Sequence, residues 1–176
     1  MKNCFGYKSP IGNLVVCTED IFLTGICFTT QGRASICHLE RSHTKSKDPA
    51  RTRSFGCVRR AHFTQDDKKI IKQLDSYFAG KLKKFDLPIK LAGTTFQKSV
   101  WKALARIPYG QTRSYSDIAK MIKRPRAVRA VGTAIGNNPI GIILPCHRII
   151  RSDGKIGEFA WGVKIKKQLL KLESAI

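Results

Sequence analysis

Acidic residues are scarce in this chain. Twelve Asp and Glu stand against 33 Lys and Arg among 176 residues, a formal charge of +21. A surplus of that size implies a polyanionic partner, either nucleic acid or an anionic membrane surface. Long apolar runs are absent: none approaches the roughly 18 residues that a membrane span needs. Met1-Lys2-Asn3-Cys4-Phe5-Gly6 opens without the apolar block of a secretory signal. The six Cys (4, 17, 27, 37, 57 and 146) are therefore expected as reduced thiols in a cytoplasmic protein, or a nuclear one in a eukaryotic host. No Cys-x-x-Cys pair occurs, and His38, His43, His62 and His147 fall in no finger-like spacing, so no metal is predicted. Cys17 and Cys27 lie in apolar, strand-like runs and read as small hydrophobes. Hydrophobic residues are not scarce: 42% of the chain and nine Phe exclude a disordered basic tail.

The first third reads as β. Leu14–Cys17 and Ile21–Phe28 favour strands, and Thr18-Glu19-Asp20 between them suggests a hairpin. Residues 40–61 are rich in Ser, Thr, Lys and Arg without periodicity and read as a basic loop, with edge-strand character near Phe55–Val58. Thr64 and Asp67 then open a helix with Ile70, Ile71, Leu74, Tyr77 and Phe78 on one face and Gly80 as its stop. The segment from Leu82 to Ala92 is an extended linker and the predicted domain boundary. Thr94 or Thr95 caps the next helix, whose inner face is Phe96, Val100, Trp101 and Leu104. Ser114 and Asp117 box a short helix that Lys123-Arg124-Pro125 interrupts, and a second opens at Arg126. Two short helices about a tight break match helix-turn-helix dimensions, with Arg124, Arg126 and Arg129 outward. Residues 98–171 hold sixteen Lys or Arg against three acids, so the second half is the expected polyanion-binding part. A last helix from Val163 turns Ile165, Leu169 and Leu172 inward and Lys164, Lys167 and Lys171 outward, ending at Glu173.

One stretch carries chemistry. Residues 140–144 read as a short apolar strand running into Pro145-Cys146-His147-Arg148. A thiol beside His and Arg is in an electropositive setting that favours thiolate. Neighbours in an extended chain point to opposite sides, so a water is the natural link between His147 and the Cys146 sulfur.

The Pro-Cys-His-Arg-Ile segment resembles the active-site motif of the O6-alkylguanine-DNA alkyltransferases. Phe96-Gln97, Val100-Trp101, Ile107-Pro108-Tyr109-Gly110, Ser114-Tyr115, Arg129-Ala130-Val131-Gly132, Asn138-Pro139 and Gly154 through Gly162 continue the likeness over residues 94–173. The N-terminal part is similar only through Ser9-Pro10-Ile11-Gly12 and Tyr77-Phe78-Ala79-Gly80.

The resemblance implies roles. Cys146 is the acceptor thiolate, linked by His147 and a water to Glu173. Asn138 fixes helix against strand. Tyr115 donates to guanine N3 as the base leaves. Gln97, Tyr115, Ser116, Arg124, Arg129 and Ser152 contact DNA through the minor groove, with Arg129 filling the stack from which the damaged nucleotide is flipped. Ile149, Phe159, Ala160 and Trp161 line the substrate pocket. Phe159 replaces the family's usual Tyr, Ala160 a Ser of some members and Trp161 a Gly of others, so a narrowed pocket is expected.

The fold expected is α+β: a β-rich N-terminal domain of structural role over 1–92, then a helix-turn-helix active-site domain over 93–176. The expected function is direct reversal of DNA damage: irreversible transfer of the alkyl group of O6-alkylguanine, with O4-alkylthymine a second substrate, to Cys146. The expected protein is a single-turnover monomer on double-stranded DNA, without cofactor or membrane. The rivals are a non-catalytic alkyltransferase-like damage sensor, which lacks the acceptor Cys, and a helix-turn-helix regulator.

Overall fold

A computed structural model describes residues 2–30, 33–34 and 64–175. The basic stretch 40–61 lies outside the described residues. Strands β1 (Lys2–Ser9), β2 (Gly12–Glu19), β3 (Phe22–Thr30) and β4 (Arg33–Ala34) form an antiparallel sheet in chain order. The expected β2–β3 hairpin is present and turns at Asp20, φ 54°. Strand β1 was not expected; Phe5, Tyr7 and Ser9 are buried there while Gly6 and Lys8 are exposed, the period-two pattern of a half-buried strand. Cys4 stands opposite Cys17 across β1–β2 and is joined to it by a disulfide, with Cα atoms 4.2 Å apart. This corrects the expectation of reduced thiols at both positions: the strand register sets the two side chains face to face.

Helix α1 (Gln65–Phe78) starts as expected. Thr64 accepts from the Asp67 N–H, and the Asp67 carboxylate accepts from the Thr64 N–H at 3.0 Å. Asp67 is buried and also accepts from Asn3 and Thr18, which ties the helix to the sheet. Helices α2 (Thr95–Leu104) and α3 (Tyr115–Met121) open with the same reciprocal box, from Thr94 with Gln97 and from Ser114 with Asp117. Helix α4 (Val128–Gly136) begins two residues later than expected. Ala127 offers no side-chain cap, and its N–H closes a turn onto the Arg124 carbonyl instead. Residues 122–127 make the break, with Lys123 at φ 59°. Helix α5 (Val163–Leu172) follows, and β5 (Arg113–Ser114) pairs in parallel with β6 (Ile149–Ile150). Among the described residues no helix is long and apolar enough to cross a membrane.

The expected strand over 140–144 is a turn. The Leu144 N–H returns to the Ile140 carbonyl, and Asn138 holds the loop closed from inside. Apolar composition suggested a strand there; a single Asn side chain supplies the alternative partners. The segment 138–140 reaches the sheet: Ile26 N–H donates to the Pro139 carbonyl at 2.9 Å. The linker covers the same strand, through Leu23 N–H to the Pro88 carbonyl at 2.8 Å and Lys90 N–H to the Leu23 carbonyl at 3.0 Å. Edge groups of β3 that would otherwise template aggregation are thereby paired. One buried cluster runs from Phe5 and Val16 through Leu74 and Trp101 to Ile149 and Leu169, so the two halves share a core.

Candidate active site

Cys146, His147 and Arg148 occupy a single 3-10 turn rather than an extended segment. Cys146 lies at the base of a cavity of about 490 Å³ whose walls include Tyr115, Asn138, Phe159, Ala160 and Trp161. Gly132 and Gly136, on one face of α4, complete the back of the cavity. Among the described cysteines, Cys146 alone is a free thiol.

The thiol is not in the electropositive setting expected. Burial pushes it up, and the Asn138 side chain, the backbone N–H groups of Cys146 and His147 and the Lys166 ammonium only partly bring it back. Arg148 is turned away. Its Nε donates to Glu173 Oε2 at 2.7 Å, its Nη2 to Glu173 Oε1 at 2.9 Å and its Nη1 to the Ile107 carbonyl at 2.6 Å. The resting thiol is therefore protonated at neutral pH and needs a base at the moment of reaction.

The neighbouring side chain with the chemistry of a base is His147. It is fully buried, with Nε2 2.9 Å from Glu173 Oε1. Burial lowers its pKa more than the Glu173 carboxylate raises it, so the imidazole is neutral. Glu173 is also buried, which alone would raise its carboxyl; hydrogen bonds from His147, Arg148 and Tyr77 outweigh burial and hold it far below the usual carboxylate range. An ionised Glu173 accepts from Nε2–H, which fixes the tautomer and leaves the lone pair on Nδ1. Nδ1 is buried and has no hydrogen-bond partner among the described residues.

The turn around Glu173 depends on Gly110. Gly110 has φ 73°, and a Cβ there would lie 2.9 Å from the Glu173 carbonyl oxygen. The Tyr109 hydroxyl donates to the Leu172 carbonyl at 3.0 Å. The Pro-Tyr-Gly turn thus positions the C-terminal end of α5.

Asn138 donates to the Leu144 carbonyl at 2.7 Å and accepts from the Ile140 N–H at 3.1 Å, holding the turn that leads into Cys146. Tyr115 is half-buried at the start of α3 and lines the cavity; burial and the neighbouring Cys146 and Glu158 raise its pKa, so it stays a donor. Ile149 does not line the cavity: it is wholly buried in the core, in β6 against Arg113, because the chain leaves the 3-10 turn inward. Trp161 packs its ring over Gly141 and lies 5.8 Å, centroid to centroid, from Phe28 of β3.

Of the residues expected at DNA, Tyr115 alone lines the cavity; Gln97 and Ser116 are partly exposed and Arg124, Arg129 and Ser152 exposed. Arg129 is exposed in the first turn of α4 and Ser152 in the turn after β6. Arg124 lies over the Phe96 ring at 5.7 Å. Ser116 shares a hydrogen bond of 2.7 Å with Ser114. The Gln97 carbonyl oxygen is engaged by the Thr94 N–H at 2.9 Å, so that oxygen serves the α2 cap.

Tyr77 and Lys166 were missed as participants in the sequence, and Arg148 was read as a partner of the thiol where it is a partner of Glu173. Tyr77 donates to Glu173 Oε1 at 2.6 Å. Lys166 is 1% exposed and donates to the carbonyls of Ile156 and Glu158, beside the cavity wall; burial lowers its pKa to about 8. A signal for Lys166 existed in the spacing, since Leu169 and Leu170 follow it three and four positions on and share its buried stripe of α5.

The sequence and the fold have counterparts among known proteins. Residues 95–175 match the family described as 6-O-methylguanine DNA methyltransferase, DNA binding domain, and residues 5–91 its ribonuclease-like domain. The chain belongs to the 6-O-methylguanine DNA methyltransferase family. It is 44% identical over 150 residues to a methylated-DNA–protein-cysteine methyltransferase of Mycobacterium tuberculosis, covering 84% of this chain and 86% of that one. It is 58% identical over 106 residues to a protein of the same name from Methanosarcina barkeri, covering 60% of this chain and 67% of that one. The crystal structure of Mycobacterium tuberculosis OGT in complex with DNA superposes with a TM-score of 0.75 at 38% identity, over 98% of this chain and 92% of that one.

Proposed function

We propose that this protein repairs DNA by transferring the alkyl group of O6-alkylguanine to Cys146. The observation that carries the reading is the free thiol at the base of a cavity, beside a neutral imidazole whose Nε2 is held by Glu173 and whose Nδ1 is unpartnered. In the transfer, Nδ1 takes the thiol proton through a water and the sulfur attacks the alkyl carbon. The S–C bond forms as the C–O6 bond breaks. Tyr115 gives its hydroxyl proton to N3 of the departing guanine anion and is reprotonated through water by the imidazolium, so the products are S-alkylcysteine, neutral guanine and the restored Tyr115 and His147. A thioether offers no carbonyl for water to attack, so each molecule acts once.

The target atom is inside a duplex, so the nucleotide must be extruded into the cavity. Entry from the minor groove is supported by α4, whose Gly132 and Gly136 face the cavity and let the backbone come close. The reading includes a monomer acting in the cytoplasm, or in the nucleus of a eukaryotic host. It also includes a division near residue 92, with the DNA surface and acceptor in 93–176.

Intact-mass measurement after incubation with O6-methylguanine duplex tests the reading. A gain of about 14 Da at Cys146, without added cofactor, is the expected covalent product. Methylation at another cysteine, or none, overturns it.

A further inference from the structure

We propose that Tyr77 is a positioning residue of the transfer reaction: from α1, outside the active-site domain, its hydroxyl fixes Oε1 of Glu173 and shares that oxygen with His147. The inference rests on the transfer chemistry proposed above.

Three donors converge on Oε1: Tyr77 Oη at 2.6 Å, His147 Nε2 at 2.9 Å and Arg148 Nη2 at 2.9 Å. Oε2 takes Arg148 Nε at 2.7 Å and the Gly110 N–H at 3.4 Å. Tyr77 has no exposed surface, and burial together with Glu173 raises its pKa well above that of a free phenol, so it remains a donor. Its ring is held independently of the hydroxyl, by Phe85 at 5.2 Å and Tyr109 at 6.2 Å. The hydroxyl thus has one partner, and that partner is the carboxylate that orients the base.

Sharing an oxygen has a direction. Each donor on Oε1 withdraws charge from it and weakens what it offers the others. Tyr77 therefore limits how strongly Glu173 stabilises an imidazolium and keeps His147 neutral, ready to accept. The titratable and charged groups around this pair are Arg148 beside it, Lys166 on α5, Cys146 across the turn, Tyr109 after α2 and Tyr77 on α1. Of these, Tyr77 alone comes from the N-terminal half.

Tyr77→Phe in the full chain tests this, because the ring contacts persist. The His147 imidazole titration, followed by NMR without substrate, should move up by about half a pH unit or more. Single-turnover methyl transfer should fall by up to about threefold at pH values below the wild-type imidazole titration and stay within about twofold of wild type at pH 8, where the imidazole is neutral in both. A purely structural role would lower the rate equally at all pH values and leave the imidazole titration unmoved; that result overturns the proposal. Unchanged titration and unchanged rate overturn it as well. The wild-type mass gain at Cys146 is read in parallel: its absence sinks the transfer reading, whereas the imidazole titration judges Tyr77 on its own.

Discussion

Arg148 grips both oxygens of Glu173, Nε on Oε2 at 2.7 Å and Nη2 on Oε1 at 2.9 Å, in a fork that an ammonium cannot reproduce. The arginine next to the nucleophile motif therefore serves the relay carboxylate and not the thiol. Arg148→Lys should keep a charge but lose the fork, and Arg148→Met should leave Glu173 buried without its main counter-charge. Breaking a buried pair in this way costs about 3–5 kcal/mol. Urea unfolding should show a loss of that order for Arg148→Met and a smaller one for Arg148→Lys. Equal stability of all three proteins would show that the fork does not support the fold.

The same carboxylate gives a pH dependence with a definite sign. Its folded pKa lies below its unfolded value, so its contribution to stability is complete above the ordinary carboxylate range and is lost as pH falls through that range and below. His147 works the same way: its folded pKa is lowered, so protonating it in acid favours the unfolded chain. Stability should drop steeply below about pH 5, and Glu173→Gln should flatten that drop while lowering stability at neutral pH. Denaturation midpoints between pH 3 and 8 measure this. A wild-type slope retained in Glu173→Gln would place the acid sensitivity elsewhere.

Much of this arrangement was legible in the chain because it is local. Thr64/Asp67 and Ser114/Asp117 mark two helix starts within three residues each, and both boxes form; of the two candidate caps Thr94 and Thr95 for the helix between them, Thr94 makes the cap, in a box with Gln97. Cys146 and His147 stood out as neighbours in a short motif. Glu173, read from residue pattern alone, was a solvated acid at a helix end; only the family resemblance gave it a role. Tyr77 was legible as a core residue and not as a donor, because its partner lies 96 positions away and nothing local indicates the encounter. The turn over 140–144 was misread because an apolar run carries strand propensity, whereas Asn138 supplies the hydrogen bonds that close it. The pairing of Cys4 with Cys17 depended on strand register, which composition does not reveal.

Lys166 lies on the buried stripe of α5 with its ammonium on the Ile156 and Glu158 carbonyls and its charge felt at Cys146. Lys166→Met keeps the stem's apolar bulk and removes the donors. The thiol should titrate higher than in wild type, since a favourable charge is gone, and the Phe159–Trp161 wall should loosen. Ultraviolet thiolate absorbance against pH reads the first effect. An unmoved thiol titration would mean that the ammonium acts on the wall alone.

Trp161 is clamped between Gly141 and the N-terminal sheet. A Cβ on Gly141 would collide with its six-membered ring, and Phe28 backs it at 5.8 Å. The indole narrows the cavity, so O6-methyl should be admitted and larger O6 groups resisted. Trp161→Gly should raise the rate with O6-benzylguanine far more than the rate with O6-methylguanine. Phe28→Ala, which removes the backing from the indole, should shift the ratio the same way by a smaller factor. Equal effects on both substrates would show that the indole does not limit size.

Arg129 is exposed one turn before Gly132 on the α4 face that continues through Gly136, and both glycines line the cavity. A phosphate contact would tolerate lysine, because a point charge suffices; a side chain inserted into a base stack uses the planar guanidinium, which stacks as an ammonium cannot. Arg129→Lys should therefore slow transfer from duplex DNA while leaving the reaction with free O6-methylguanine base nearly unchanged. The duplex defect should shrink when the damaged base lies opposite an abasic site, where extrusion costs less than the usual few kcal/mol. Single-turnover rates on the three substrates give the comparison. Wild-type transfer by Arg129→Lys on intact duplex would make Arg129 one more cation on a basic surface, and the stack would have to be filled from elsewhere.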